Sequence, residues 1–338
     1  MPDGGGFTSL GSNAETIARD LYVSLSTKLA ERQAAAQQMY PSIATVVKST
    51  GKSQRFDFSK ALSEVREFLG ERIFNKIKSY EYELKNRDWE SSIEWKRDDL
   101  ADDQTGSLQL GIDEHIIAML EHPDTLLIDF LNDHIAGTVT EFGNGFDGYP
   151  TFSASHTWGA NVPYSAAQSN LLSGSNTGKL DLTYGFANLQ TAYSKLAGGF
   201  FWPYGDGATK GVIKNNPTHV LCASDVFFDC QRLLTSAEVV AGASAGSSTF
   251  GLPASNALKS LNLTPVLVPG LAAGTWIMAD LSKPVRFVLF QSRQEIETEF
   301  MGPGTELWFK NRVARAGSFA RYAVGSGWWY RAIAGNGT

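Results

Sequence analysis

The chain has 338 residues, 43% of them hydrophobic and 19% charged, which is enough apolar side chain to bury a core and excludes global disorder. A net charge of −6, from 29 Lys and Arg against 35 Asp and Glu, excludes tight nucleic-acid binding through a basic footprint. The two cysteines, Cys222 and Cys230, are too few for a disulfide framework.

The start, "MPDGGGFTSLGSN", has neither the basic opening nor the apolar segment of a secretory signal. No apolar run approaches the roughly 20 residues that cross a bilayer, so a soluble protein made in the cytoplasm is expected. The first element is a helix opened by Ser12 and Glu15, a capping-box pair, and closed near Met39 by Tyr40-Pro41. Ile17, Leu21, Leu25 and Leu29 form one narrow apolar stripe, which suits an arm laid on a surface.

Farther on, Tyr80, Tyr82 and Leu84 alternate with Glu81, Glu83 and Lys85, and Trp89, Ile93 and Trp95 alternate with Glu90, Glu94 and Lys96. Two period-two runs around Asn86-Arg87-Asp88 predict a hairpin with one apolar and one charged face. A hairpin alone between helices is marginal in water, so its apolar face needs a cover. Next, "GIDEHIIAMLEHPDTLLIDFLNDHIAG" reads as helix on both sides of Pro123, ended by Gly137. Residues 141–178 read as a Gly/Ser/Asn-rich loop, in which "FDGYP" predicts a turn with Gly148 at positive φ. Asp181 is expected to cap a helix carrying Leu182, Phe186, Leu189, Tyr193 and Leu196, stopped by Gly198-Gly199. "THVLCAS" reads as a strand, "SDVFFDCQRLL" as a helix capped by Ser224, and 242–255 as a low-complexity loop. "TPVLVP", "GTWIMAD" and "VRFVLFQSR" read as late strands. Helix and strand do not alternate as in a wound parallel sheet, so the class is α+β.

No chemistry stands out. Asp98, Asp99, Asp102 and Asp103 lack the spacing and turn glycine of a calcium loop, and their place at a helix start suits the helix dipole. His115, His122, His134, His156 and His219 show no metal-ligand spacing and read as structural or surface side chains. Ser153, Ser155, His156 and Asp147 crowd one loop, whereas a catalytic triad is drawn from separated segments on a rigid frame. Cys222 and Cys230 read as buried, inert thiols. No catalytic, cofactor or metal residue is assigned, and an enzyme is not expected.

In combination, "REFLGERIFNKIKSYEYELKNRDWESSIEWKRDDLADDQTG", "HPDTLLIDFLN", "FDGYPTFSASHTW" and "WFKNRVARAGSFARYAVGSGWWYRA" resemble the major capsid (head) proteins of Mu-like tailed phages and prophages. The resemblance implies an HK97-like capsid fold with an N-terminal arm over 1–55 and an E-loop hairpin over 56–98. It implies a peripheral domain over 99–139 plus 284–322, with a spine helix at about 107–136, and an axial domain over 140–283 plus 323–338. It further implies self-assembly through hexamers and pentamers into an icosahedral head, the virion capsid, made in the host cytoplasm and enclosing double-stranded DNA without reading its sequence. A scaffold or protease, a portal and a decoration protein would be partners, and no membrane would be involved. On that resemblance Arg66, Glu71, Arg72, Tyr80, Tyr82, Trp89, Ile93 and Trp95 are expected at the assembly interface, the hairpin's apolar face lying on a neighbouring subunit. The alternatives are a nanocompartment shell of the same fold, a metal-dependent hydrolase using Asp98–Asp103, and another virion part that forms rings or tubes.

Overall fold

The computed structural model describes residues 10–35, 37–59, 67, 70, 79–102, 107–139, 141–158, 167–174, 176–203, 210–241 and 252–337. In chain order the first third holds α1 (Leu10–Ala35), α2 (Tyr40–Ile43), β1 (Thr45–Lys48), β2 (Ser53–Ser59), β3 (Ser79–Lys85), β4 (Arg87–Lys96), α3 (Arg97–Asp102) and α4 (Ser107–Ala136). The middle holds β5 (Leu171–Ser173), α5 (Gly185–Gly198), β6 (Phe201–Pro203), β7 (Lys210–Val212), β8 (His219–Cys222), α6 (Phe227–Thr235), β9 (Glu238–Ala241) and β10 (Leu252–Ser255). The last third holds β11 (Thr264–Leu267), β12 (Thr275–Ala279), β13 (Val288–Met301), α7 (Glu306–Asn311), β14 (Val313–Ser326) and β15 (Ala332–Asn336). These residues form two compact units: the first drawn from 1–39, 86–124 and 292–323, the second from 40–85, 125–291 and 324–338.

In the first unit β4 pairs antiparallel with β14, from Val313 opposite Lys96 to Tyr322 opposite Arg87, and β13 flanks β14 on its other side. The period of two in β4 turns Trp89, Ser91, Ile93 and Trp95 inward and leaves Asp88, Glu90, Ser92, Glu94 and Lys96 exposed. The inner face is closed by two helices whose apolar residues recur at i, i+4. Leu21, Leu25 and Leu29 of α1 and Ile112, Ile116 and Leu120 of α4 pack with Trp95, Trp308, Ala314 and Ala316. Each fully buried Leu or Ile here is worth about 1.5–3 kcal/mol. Lys28 Nζ meets Asp113 Oδ1 at 2.9 Å and ties α1 to α4. The stripe on α1 therefore covers the core of its own unit.

In the second unit five strands run in the order β11-β8-β12-β15-β5. The β8 strand is parallel to β11 and antiparallel to β12; β12 is antiparallel to β15, which is parallel to β5. All five residues of β12, "TWIMA", are buried, as a strand covered on both faces requires. Helix α5 packs on β12 and β15, and α6 on β8 and β11. Smaller two-stranded pieces, β9 with β10 and β6 with β7, complete the unit.

Several expectations change. The 79–85 and 87–96 strands form where their patterns place them, but they do not pair with each other: β3 pairs with β2, and β4 with β14. A single residue, Asn86, separates them, and an antiparallel reversal needs at least a two-residue loop. The helix expected from Asp181 begins at Gly185, because Asp181 Oδ1 accepts the Thr183 and Tyr184 N–H groups at 2.9 and 2.7 Å and builds a turn ahead of it. Val226, not Ser224, precedes α6. By contrast α4 forms where the pattern over 111–137 predicts a helix, starting four residues earlier at Ser107 and passing through Pro123, whose missing N–H removes one helical hydrogen bond.

Candidate assembly surfaces

The outward face of the first unit's sheet is charged. Asp88, Glu90 and Glu94 of β4 and Glu295, Glu297 and Glu299 of β13 are exposed, on either side of Arg315 and Arg321 of β14. Cross-strand register pairs two of these charges: Arg315 lies opposite Glu94 and reaches Oε2 with Nε and Nη2, both at 2.7 Å, and Arg321 meets Asp88. Such exposed pairs contribute at most about 1 kcal/mol each. Gly317, between them on β14, leaves a notch of about 330 Å³ bounded by Glu90, Ser92, Glu299 and the half-buried Phe319. Its carboxylates make this face acidic.

The second surface is the antiparallel ribbon of β2 and β3, in register from Ser53 opposite Lys85 to Ser59 opposite Ser79. Residues directly opposite share a face. Arg55 and Asp57 thus join Glu81, Glu83 and Lys85 on an exposed charged face, where Arg55 contacts Glu81. The opposite face carries Phe56, Phe58, Tyr82 and Leu84 and is seated within its own unit. Phe58 stacks on Phe146 with centroids 4.5 Å apart and meets Trp328 edge-on at 4.7 Å. The Tyr82 hydroxyl accepts the Ser326 N–H at 3.1 Å; burial pushes the phenol pKa above its usual value, against the opposing pull of that hydrogen bond. Gln291 Nε2 donates to the Leu84 carbonyl at 3.3 Å.

The residues expected at an interface scatter. Arg66, Glu71 and Arg72 lie outside the described residues, as does the side chain of Tyr80. Trp95, 4% exposed, and the partly buried Ile93 belong to the core of the first unit. Trp89 donates from Nε1 to the Tyr322 carbonyl at 3.1 Å, its ring between His122 and the Arg87 guanidinium. Tyr82 is 8% exposed. The idea that a neighbouring subunit must cover this apolar face is therefore corrected for Tyr82 and Trp95, which their own chain covers.

The loop thought unfit for catalysis does bring two of its residues together. His156 Nδ1 meets Asp147 Oδ2 at 2.6 Å, and Nε2 meets Asn170 Oδ1 at 3.0 Å. Asn170 is fixed in that orientation because its Nδ2 donates to the Thr151, Trp329 and Ala332 carbonyls. The imidazole lies flat on Trp329, with centroids 4.2 Å apart. Ser153 Oγ accepts the Ser155 N–H instead of facing the ring. With the Asp147 and His156 side chains 1% and 0% exposed, this node braces the loop against the C-terminal strand and offers a substrate no entry. Asn170 escaped sequence reasoning because nothing local marks a side chain that joins segments about 160 residues apart. Gly148 takes φ +83°, as "FDGYP" predicts. Asp98 and Asp99 occupy the first turn of α3; among the described residues no three His, Cys, Asp or Glu could hold a metal ion. Cys222 and Cys230 are buried, and the Cys222 thiol pKa is raised by a hydrogen bond with Cys230 and by burial.

An α+β chain with a 30-residue helix, a two-stranded ribbon and separate sheets has the HK97-type fold of tailed-phage capsids. The capsid of cyanophage P-SCSP1u shares it with a TM-score of 0.51 at 10% identity, over 88% of this chain and 87% of that one. Residues 18–183 match the family model described as Mu-like prophage major head subunit gpT. The chain is similar to the Mu-like prophage FluMu major head subunit of Haemophilus influenzae, 32% identical over 146 residues, 43% of this chain and 46% of the relative. It is also similar to the major capsid protein of Escherichia phage Mu, 26% identical over 112 residues, 33% of this chain and 37% of that one. The chain thus spans less than half the length of the curated relatives it matches.

Proposed function

We propose that the chain is a major capsid protein that assembles through hexamers and pentamers into the icosahedral head around phage double-stranded DNA. The observation that carries this reading is the head-subunit family match over residues 18–183, on a chain whose fold matches a phage capsid along most of its length. The interfaces between copies are heterologous, so rings close into a shell. In this reading α1 is the arm, and the E-loop is the ribbon of β2 and β3 with the 60–78 stretch between them. The first unit would hold most of the peripheral domain, and the second unit's five-stranded sheet the axial domain. Scaffold or protease, portal and decoration proteins would be partners, and synthesis would be in the host cytoplasm. The net charge of −6 suits a container that surrounds DNA without gripping it. No catalytic role is assigned: the His156–Asp147 pair is sealed from solvent, and the other ring nitrogen is held by Asn170.

Sedimentation velocity of the chain expressed with its neighbouring head genes tests the proposal. Material sedimenting as five- and six-membered rings or as closed shells is expected; a single slow monomer or dimer boundary in that co-expression would count against it.

A further inference from the structure

If the ribbon is the element through which copies meet, something must fix the direction in which it leaves the second unit. Its root rests on the end of β14, and the contact is unusually close. An added Cβ on Gly325 would stand 2.6 Å from the Tyr82 hydroxyl oxygen and 3.0 Å from both Leu84 methyls. The φ angle of Gly325 is not positive, so the backbone itself accepts alanine, and the requirement for glycine is one of space. Beside it the Ser326 N–H holds the Tyr82 hydroxyl at 3.1 Å, and Phe58 is wedged between Phe146 and Trp328. Tyr82 can move away from this position only by giving up the Ser326 hydrogen bond.

We propose that Gly325 and Tyr82 form a seat that locks the β2–β3 ribbon onto the end of β14, as positioning residues for shell assembly and not for folding. This rests on the assembly reading above for its consequence, though not for its geometry. The two residues should be coupled, because the atom that alanine at 325 strikes first is the Tyr82 oxygen. Removing that oxygen relieves the shortest of the three contacts and leaves the Leu84 methyls at 3.0 Å.

The test is a double-mutant cycle with two readouts, amide hydrogen exchange on the unassembled chain and shell yield in co-expression with the head genes. Gly325→Ala should speed exchange across 53–59 and 79–85 by about tenfold or more, the scale of overpacking a tight site, and leave β12 and β15 unchanged. Shell yield should fall with it. Tyr82→Phe should have a small effect, and Gly325→Ala with Tyr82→Phe should exchange more slowly and assemble better than Gly325→Ala alone. If Gly325→Ala is insoluble, Phe58→Leu, which loosens the seat without adding an atom, is expected to show the same two changes. Unaltered ribbon exchange, equal acceleration in β12 and β15, or a double variant no better than Gly325→Ala would each overturn the seat. A wild-type chain that forms no shells would overturn the assembly reading, and the exchange cycle would still decide the seat.

Discussion

His134 accepts the Thr151 N–H through Nδ1 at 2.8 Å, so the ring can take a second proton only by giving up that bond inside the protein. Burial holds its pKa at about 3. His115, between Ser91 and Ser318, is lowered by burial as well, and His219 is lowered by burial and then by the charge of Arg286. The sign follows from linkage: the unfolded chain binds protons at these sites below about pH 6.5, while the folded chain resists them. Stability is therefore complete above about pH 6.5 and declines as pH falls toward 3, by several kcal/mol in order of magnitude for His134 alone. Urea unfolding midpoints at pH 7.5, 5.5 and 4.5 should fall in that order, and His134→Gln should flatten the decline. A midpoint that rises on acidification would remove this explanation. His134 was visible in the sequence only as one more residue on an apolar helical face; its depressed basicity comes from a backbone N–H supplied by a loop.

At the scale of elements, patterns that close locally could be read and pairings across the chain could not. Helix α4 was readable because its apolar period persists on both sides of Pro123 and Gly137 ends it. The two strands at 79–85 and 87–96 were readable from alternation, which says which side of a strand is apolar but not which strand lies beside it. Their partners, β2 and β14, stand about 25 and more than 200 residues away in the chain. Gly325 gives no signal at all, since its requirement is the absence of a side chain beneath two others. This division changes which deletion is informative. Removing 78–97 would take β4 and the buried Trp95 from the first unit, where loss of a Trp side chain alone costs about 3–5 kcal/mol. Replacing 60–78 by a short Gly/Ser link leaves both units' described cores intact. That variant should melt within a few degrees of the parent and yield no shells; shells of normal yield and size would show that the 60–78 stretch is dispensable.

Over the whole molecule, an acidic sheet face, a seated ribbon and two compact units suit the mechanical role proposed above. In the proposed shell neither face would need to bind strongly, because a closed shell repeats each contact between copies many times. Electron microscopy of particles from cells expressing the chain with its neighbouring head genes tests that role most directly. Closed isometric shells are expected, their surface resolving into rings of six and five copies of this chain. Open tubes, or a small compact oligomer and nothing larger in the presence of those genes, would contradict it.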